Sequence, residues 1–80
     1  MKVPRDVSGN DLLKAIVRIG YVRVRQKGSH VYCTTQFPSE HHIAIPLHDS
    51  LKVGTLNSIL RELAAHRNQT RDELLADLGI

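Results

Sequence analysis

The stretch Gln26-Lys27-Gly28-Ser29-His30-Val31-Tyr32 decides the fold of this chain, because it predicts a tight turn followed by an extended strand. Glycine adopts positive φ without steric cost, so Gly28 supplies the turn. Beyond the turn, Val31 and Cys33 alternate with polar residues, and alternate residues of a strand point to opposite faces. We therefore predict that one face of this strand lies in the core. The other face then carries an imidazole, a phenol and a hydroxyl in a row, those of His30, Tyr32 and Thr34.

We place the strand after the turn at Ser29–Phe37. Two further segments are predicted to be strands that pair with it. Residues of the first, Tyr21–Gln26, alternate, and we expect Val22 and Val24 to face the core. Its solvent face would then carry Tyr21, Arg23 and Arg25. The last strand is predicted at His41–Ile45, before a proline that ends it.

Apolar residues at helical spacing predict three helices. The first is predicted at Gly9–Ile19, with Ser8 as its N-cap. The second opens at Gly54-Thr55 with Thr55 as N-cap, and it has the strongest periodicity of the chain, at Leu56, Ile59, Leu60 and Leu63. A short third helix is predicted to begin at the capping-box pattern of Thr70 and Glu73 and to end at Gly79.

The element order is therefore α-β-β-β-α with a small helix appended. It predicts an α+β fold in which helices cover one face of a three-stranded antiparallel sheet, a two-layer sandwich. A chain of 80 residues is expected to form one domain, over residues 1–80.

Composition narrows the classes of function. The formal net charge is +3 with neutral histidines, and a basic small domain favours a polyanionic partner such as nucleic acid. Aromatic residues make up 4% of the chain, which argues against a platform that stacks many unpaired bases. The single cysteine, Cys33, fits a reducing compartment, and no segment is apolar enough to span a membrane, so we predict a cytoplasmic protein with no membrane role.

Two basic features are candidate phosphate contacts. Arg23 and Arg25 have no acid near them in the sequence, and arginine suits phosphate oxygens, although a polar strand face needs no ligand to explain it. The second feature is the start of the second helix, where backbone N–H groups favour an anion; plain capping by Thr55 is the alternative. Its residues are His48, Lys52, Gly54 and Thr55.

Histidines raise the alternative of a zinc site. The four that lie close in sequence are His30, His41, His42 and His48. Their spacing matches no common structural zinc pattern, and adjacent strand residues such as His41 and His42 point to opposite faces. We therefore predict neither a metal nor another cofactor.

Three motifs of this chain are similar to those of the HicA family of toxins, small RNA-cleaving partners of HicB antitoxins. The resemblance runs from Ser8 to Leu78. They are Gly28-Ser29-His30 with Tyr32, the stretch His42–His48, and Leu51–Leu56 leading into Ile59-Leu60. The resemblance implies a fold like that of a double-stranded-RNA-binding domain and endonucleolytic cleavage of messenger RNA, which halts translation. It also implies a single catalytic histidine at His30 and a HicB-like antitoxin as partner.

The implied chemistry is consistent with these residues. RNA carries its own nucleophile, the 2′-hydroxyl, so cleavage needs proton transfer near neutral pH and cations around the phosphate. His30 suits proton transfer, whereas His48 and Tyr32 are both open as the second group. The expected RNA contacts are Arg23, Arg25, Lys27, Ser29, Tyr32, His48, Lys52, Gly54 and Thr55. Two other functions stay open: an RNA-binding module of the same fold that does not cleave, and an interaction domain with no role in RNA.

Overall fold

The computed structural model describes residues 6–80 of the chain. Its elements are α1 (Gly9–Arg18), β1 (Val22–Lys27), β2 (His30–Thr35), β3 (His41–Pro46), α2 (Val53–Arg67) and α3 (Arg71–Leu78). This order confirms the α+β class and the α-β-β-β-α-α sequence of elements. The extent of the single domain stays a prediction, and residues 1–5 lie outside the described part.

Capping side chains fix the N-terminal ends of the two shorter helices, α1 and α3. The Ser8 side chain accepts a hydrogen bond from the Asp11 N–H at 3.0 Å, which completes a capping box at the start of α1. The predicted box at Thr70 and Glu73 is also present at the start of α3. Gly79 ends α3 with φ +72°, in the left-handed region where a C-terminal glycine is favoured.

The strands form an antiparallel sheet in the order β1-β2-β3. β1 and β2 are joined by a two-residue turn, because Lys27 pairs with His30 across it. Gly28 has φ +59°, as the first turn residue of a type II′ hairpin requires. The predicted turn is therefore confirmed, and it places His30 as the first residue of β2.

The core lies between the helices and one face of β2 and β3. The inner face of the sheet consists of buried Val31, Cys33, Thr35, Ile43 and Ile45. The helices bury the periodic residues predicted for them, including Leu12, Leu13, Ile16, Leu56, Leu60 and Leu63. The opposite face, which we call the open face, carries His30, Tyr32 and Thr34 of β2 beside Pro46, Ala44 and His42 of β3. The two-layer arrangement is confirmed.

The predicted faces are wrong at four positions in and just before β1. Tyr21 is buried, with 2% of its surface exposed, whereas Val22 and Val24 are each 62% exposed. The large aromatic side chain gains more from burial than either valine, so it sets the alternation at the start of the strand. Val22 then lies on the open face opposite Thr34, and Arg23 lies on the helix side opposite Cys33.

A β-bulge then restores the predicted face of Arg25. The register shifts between Arg23 and Arg25, so the next pair is Arg25 with Tyr32 on the open face. One extra residue in a strand changes which side chains share a face. The two arginines therefore lie on opposite faces, which sequence alternation alone does not predict.

The start of α2 also differs from the prediction. Its N-cap is Lys52, whose carbonyl accepts a hydrogen bond from the Leu56 N–H at 2.9 Å, and no side chain caps this end. Thr55 therefore lies inside the first turn and is not the cap. The buried Leu51 is hydrogen-bonded to Val7 at 2.9 Å, which fixes the chain so that the helix begins directly after Lys52.

Gly9 packs against the end of β3 at very short range. A Cβ on residue 9 would lie 1.9 Å from the Pro46 carbonyl oxygen and 2.8 Å from the Leu47 Cα. The Gly9 N–H donates to the His48 carbonyl at 2.9 Å, which holds this approach in place. Only a residue without a side chain fits here, so α1 and the end of β3 depend on this glycine.

We predict that Gly9→Ala destabilises the fold by about 1–3 kcal/mol, because both clashing atoms belong to backbone that cannot yield cheaply. The matched control is Gly54→Ala, which introduces a Cβ into the first turn of α2 where no atom lies within 4 Å. That control should be neutral or stabilising, since alanine is the better helix former. Urea unfolding of both variants measures the difference. Equal midpoints for the two would show that the approach at Gly9 is not needed.

Candidate functional site

His30 lies at one end of the sheet, exposed to solvent on the open face. Its neighbours across the strands are Lys27 on β1 and Pro46 on β3. The turn at Gly28 fixes the backbone immediately before it. An exposed imidazole beside a lysine, on a rigid strand, can exchange protons with a bound anion and has a cation next to it. We call this end, defined by Lys27, His30 and Pro46, the His30 end.

The loop that follows β3 stays at the His30 end. The Leu47 N–H donates to the Ser29 carbonyl at 2.6 Å, so the exposed His48 lies one residue from a direct contact with the turn. The bonds of Gly9 to His48 and of Leu51 to Val7 then hold the loop against α1. The structure therefore brings the backbone just before His48 next to Ser29 and His30.

The start of α2 is at the same end of the molecule. α2 has 15 residues and is therefore about 22 Å long. Its last turns reach the opposite end of the sheet, where Glu62 and His66 contact His41, the first residue of β3. Its first turn, with Lys52, Gly54 and Thr55, consequently lies near the His30 end.

This helix start has the properties of an anion site. No side chain caps it, and its first turn contains no acidic residue. Backbone N–H groups and the helix dipole therefore present a positive end, to which the exposed Lys52 adds a full charge. The alternative of capping by Thr55 is removed by the position of Thr55 in the helix.

On the open face, Arg25 and Tyr32 form a second element of the site. The guanidinium carbon of Arg25 lies 4.9 Å from the centre of the Tyr32 ring, a cation–π contact. Among the described residues, neither Arg25 nor Lys27 lies within ion-pair distance of an acid. The positive charge of this face is therefore available to a phosphate.

Arg23 does not join this group. It pairs with Cys33, whose side chain lies on the helix side, so Arg23 is exposed at the edge on the other face of the sheet. Of the nine predicted contact residues, it is the one that the bulge separates from Arg25 and Tyr32.

A second pair of histidines, His41 and His66, lies at the opposite end of the sheet and packs against other side chains. His41 shares one hydrogen bond with the Tyr21 hydroxyl at 2.7 Å and contacts the Glu62 carboxylate at 3.0 Å. Its ring stacks on His66 at 4.4 Å. His66 in turn lies 3.1 Å from the Phe37 carbonyl oxygen, within hydrogen-bonding distance. Both nitrogens of His41 are occupied, which suits a structural role.

His42 points to the open face, away from His41, as predicted for adjacent strand residues. It contacts the Glu40 carboxylate at 2.8 Å. The sequence analysis gave this pair no role. The signal in the sequence was that Glu40 and His42 are two residues apart, because this spacing puts both side chains on the same side of an extended chain.

Cys33 lies on the inner face of the sheet, away from His30. The thiol is buried and unpaired, and burial raises its pKa, so it is a poor nucleophile. Within residues 6–80, no group of three histidine, cysteine, aspartate or glutamate side chains is placed to hold a metal ion. None of the helices in that range is both long and apolar enough to cross a bilayer.

Comparison with known proteins gave one match. A family model described as the HicA toxin of bacterial toxin–antitoxin systems matches residues 9–64, which include α1, the whole sheet and most of α2. No curated protein and no solved structure matches the chain. The matched range contains His30, the loop with His48 and the start of α2.

We predict that Tyr21→Phe destabilises the protein by about 0.5–1.5 kcal/mol, because it removes the hydrogen bond to His41. The matched control is Tyr32→Phe, whose lost hydroxyl makes no hydrogen bond within the described chain. Urea unfolding at pH 8 measures both. Equal loss in the two variants would contradict a structural role for the Tyr21–His41 contact.

The same variant has a pH signature. Burial raises the pKa of Tyr21 to about 12, so the folded state keeps a proton that an unfolded tyrosine loses near pH 10. The resulting stabilisation is complete below about pH 10 and is lost as the pH rises toward 12. Tyr21→Phe should therefore lose less stability between pH 9 and pH 11 than the wild type does.

Proposed function

This chain belongs to the HicA toxin family of bacterial toxin–antitoxin systems, and on that basis we propose that it is a metal-independent endoribonuclease that cleaves messenger RNA. His30 is the proposed catalytic residue, acting as general acid or base. The observation that supports this assignment is the position of His30, which lies exposed between Lys27 and the start of the loop to α2. Cleavage of messenger RNA would explain inhibition of translation by the toxin.

The chemistry needs few protein groups. The 2′-hydroxyl of RNA lies next to the scissile phosphate and attacks it once a base removes its proton. An imidazole is well suited to this proton transfer near neutral pH, which typically contributes about 10²–10⁴-fold to the rate. Lys27 is the nearest cation in the sheet and would stabilise the charge that develops on the phosphate oxygens.

Two residues are candidates for the second proton-transfer group. Tyr32 lies two residues along the same face of β2, and its phenol can donate a proton to the leaving oxygen. His48 follows Leu47, which is bonded to Ser29. Separate substitutions of Tyr32 and His48 would show which of them lowers the turnover rate without lowering RNA affinity.

The remaining contact residues would position the substrate. We propose that Arg25 and Lys27 contact the RNA on the open face, while Lys52, Gly54 and Thr55 bind a phosphate at the start of α2. Arg23 would contribute only to an RNA segment that wraps around the sheet edge.

The antitoxin is expected to cover this surface. A family of toxin–antitoxin toxins acts with an antitoxin, and we propose a HicB-like acidic protein that masks His30. Within the described chain, Arg25, Lys27 and Lys52 have no acidic partner, so they are available to such a protein. An exposed ribonuclease would degrade the RNA of its own cell, which is the physical reason for masking.

We predict that His30→Ala lowers the turnover of RNA cleavage by about 10²-fold or more, with excess chelator present throughout. The variant should keep its stability, because the side chain is exposed and its loss leaves no cavity. The control is His66→Ala, which removes an imidazole at the opposite end of the sheet and should cut at the wild-type rate.

Three results would contradict the proposal. Normal cleavage by His30→Ala would move the chemistry elsewhere, and loss of wild-type activity in chelator would require a metal. Tight RNA binding by a wild type that never cleaves would favour the non-catalytic RNA-binding module.

We predict that Lys52→Ala weakens RNA binding about equally for all sequences and lowers the slope of log K against log salt by about 1. Arg61→Ala is the matched control, since it removes one positive charge from an exposed position two turns further along α2. Binding titrations between low and physiological salt measure the slopes. The same slope in both variants would identify Lys52 as a surface residue with no RNA contact.

A further inference from the structure

The open face contains a cavity next to the proposed catalytic residue. It has a volume of about 480 Å³ and begins beside Tyr32, two residues from His30. Side chains that line it include Val24, Arg25, Tyr32, Thr34, Glu40 and His42. Pockets for small organic groups lie in this size range, about 300–1,000 Å³.

The walls of the cavity suit a planar aromatic ring. Arg25 and Tyr32 stand together at 4.9 Å, and both a guanidinium plane and a phenol ring can stack on a nucleobase. Val24, brought to this face by the bulge, adds an apolar surface.

The far wall carries an acid where a phosphate-binding surface would avoid one. Glu40 lies at this wall, and His42 holds its carboxylate at 2.8 Å. A carboxylate repels phosphate but accepts hydrogen bonds from the N–H groups of a base, as in its pairing with the cytosine amine. Glu40 lies at the wall away from His30, whereas Lys27 lies beside His30, so a base-binding part is separate from a phosphate-binding part.

The distance from His30 also fits one nucleotide. Two residues of a strand span about 7 Å, so a base in the cavity would belong to a nucleotide adjacent to the phosphate at His30. We propose that this cavity is a nucleobase subsite that selects a base with an exocyclic amine next to the cleaved bond, through stacking on Arg25 and Tyr32 and a hydrogen bond to Glu40. This inference rests on the proposed ribonuclease function.

The test uses RNA that the protein binds but cannot cleave. Hexanucleotides with 2′-O-methyl groups at every position lack the nucleophile, and each carries one adenine, cytosine or guanine in an otherwise uracil sequence. The wild-type protein should bind at least one of them about fivefold or more tighter than the all-uracil hexamer, since a good base contact gives about 5- to 150-fold discrimination.

The variant Glu40→Gln should lose this preference while still binding the all-uracil hexamer. Glu40 is exposed in the turn before β3, so the substitution leaves the core untouched. The matched control is Asp72→Asn, which removes one negative charge from an exposed position on α3 and should keep the preference. Tyr32→Ala should weaken every hexamer, by about tenfold, because it removes the stacking wall.

Two results would overturn the subsite. One is equal binding of all hexamers by the wild type, and the other is an unchanged preference in Glu40→Gln. A Glu40→Gln variant that binds RNA normally but loses antitoxin affinity would assign the cavity to an antitoxin side chain instead. Because binding is measured without cleavage, failure of the subsite is distinct from failure of His30→Ala to reduce turnover.

Discussion

A Cβ on residue 9 would lie 1.9 Å from the Pro46 carbonyl oxygen, and the His30 end of the sheet depends on the absence of that atom. Because Gly9 has no side chain, α1 can begin directly against the last residue of β3. Pro46 is the strand partner of His30, so the same contact fixes the backbone beside the imidazole. The hydrogen bond from the Gly9 N–H to the His48 carbonyl also holds the loop that leads to α2 against the start of α1. One close backbone contact thus sets the relative positions of a strand, a loop and two helix starts.

The histidines show how environment divides one residue type between two roles. His41 is half-buried and contacts Tyr21, Glu62 and His66, so its ring is held in the packing between β3 and α2. His30 is exposed at the other end of the sheet, next to a lysine that has no acidic partner in the described chain. A group that must reach a substrate needs exposure and a fixed backbone, and His30 has both. The fold therefore separates a packed histidine pair, His41 and His66, from the exposed His30, which is the proposed catalytic residue.

Much of the fold follows from local signals in the sequence. The glycine turn, the Ser8 N-cap, the capping box at Thr70 and the helical periodicity each depend on neighbouring residues, and all are found as predicted. The faces of β1 were wrong because they depend on a distant partner: Tyr21 is buried against His41, and the bulge at Val24 then shifts the alternation. The N-cap of α2 was wrong for a similar reason, since the bond of Leu51 to Val7 decides where the helix begins.

The candidate site was predictable to the same extent. His30 and its turn could be placed from the sequence, because both belong to one hairpin. The separation of Arg23 from Arg25 and the cavity between Tyr32 and Glu40 require the register of three strands, which no local pattern contains. The sequence therefore indicates the chemistry of the site better than the surface around it.

In the proposed mechanism the 2′-hydroxyl of the RNA is the nucleophile, and His30 transfers the protons. The most direct measurement uses an RNA with a known cleaved bond and a single 2′-deoxy substitution at that nucleotide, incubated with the full chain in excess chelator. This bond should stay intact, and the unmodified RNA should yield a 2′,3′-cyclic phosphate and a 5′-hydroxyl end by mass spectrometry. Cleavage of the 2′-deoxy bond, or products with a 5′-phosphate, would show that water is the nucleophile and would contradict the account.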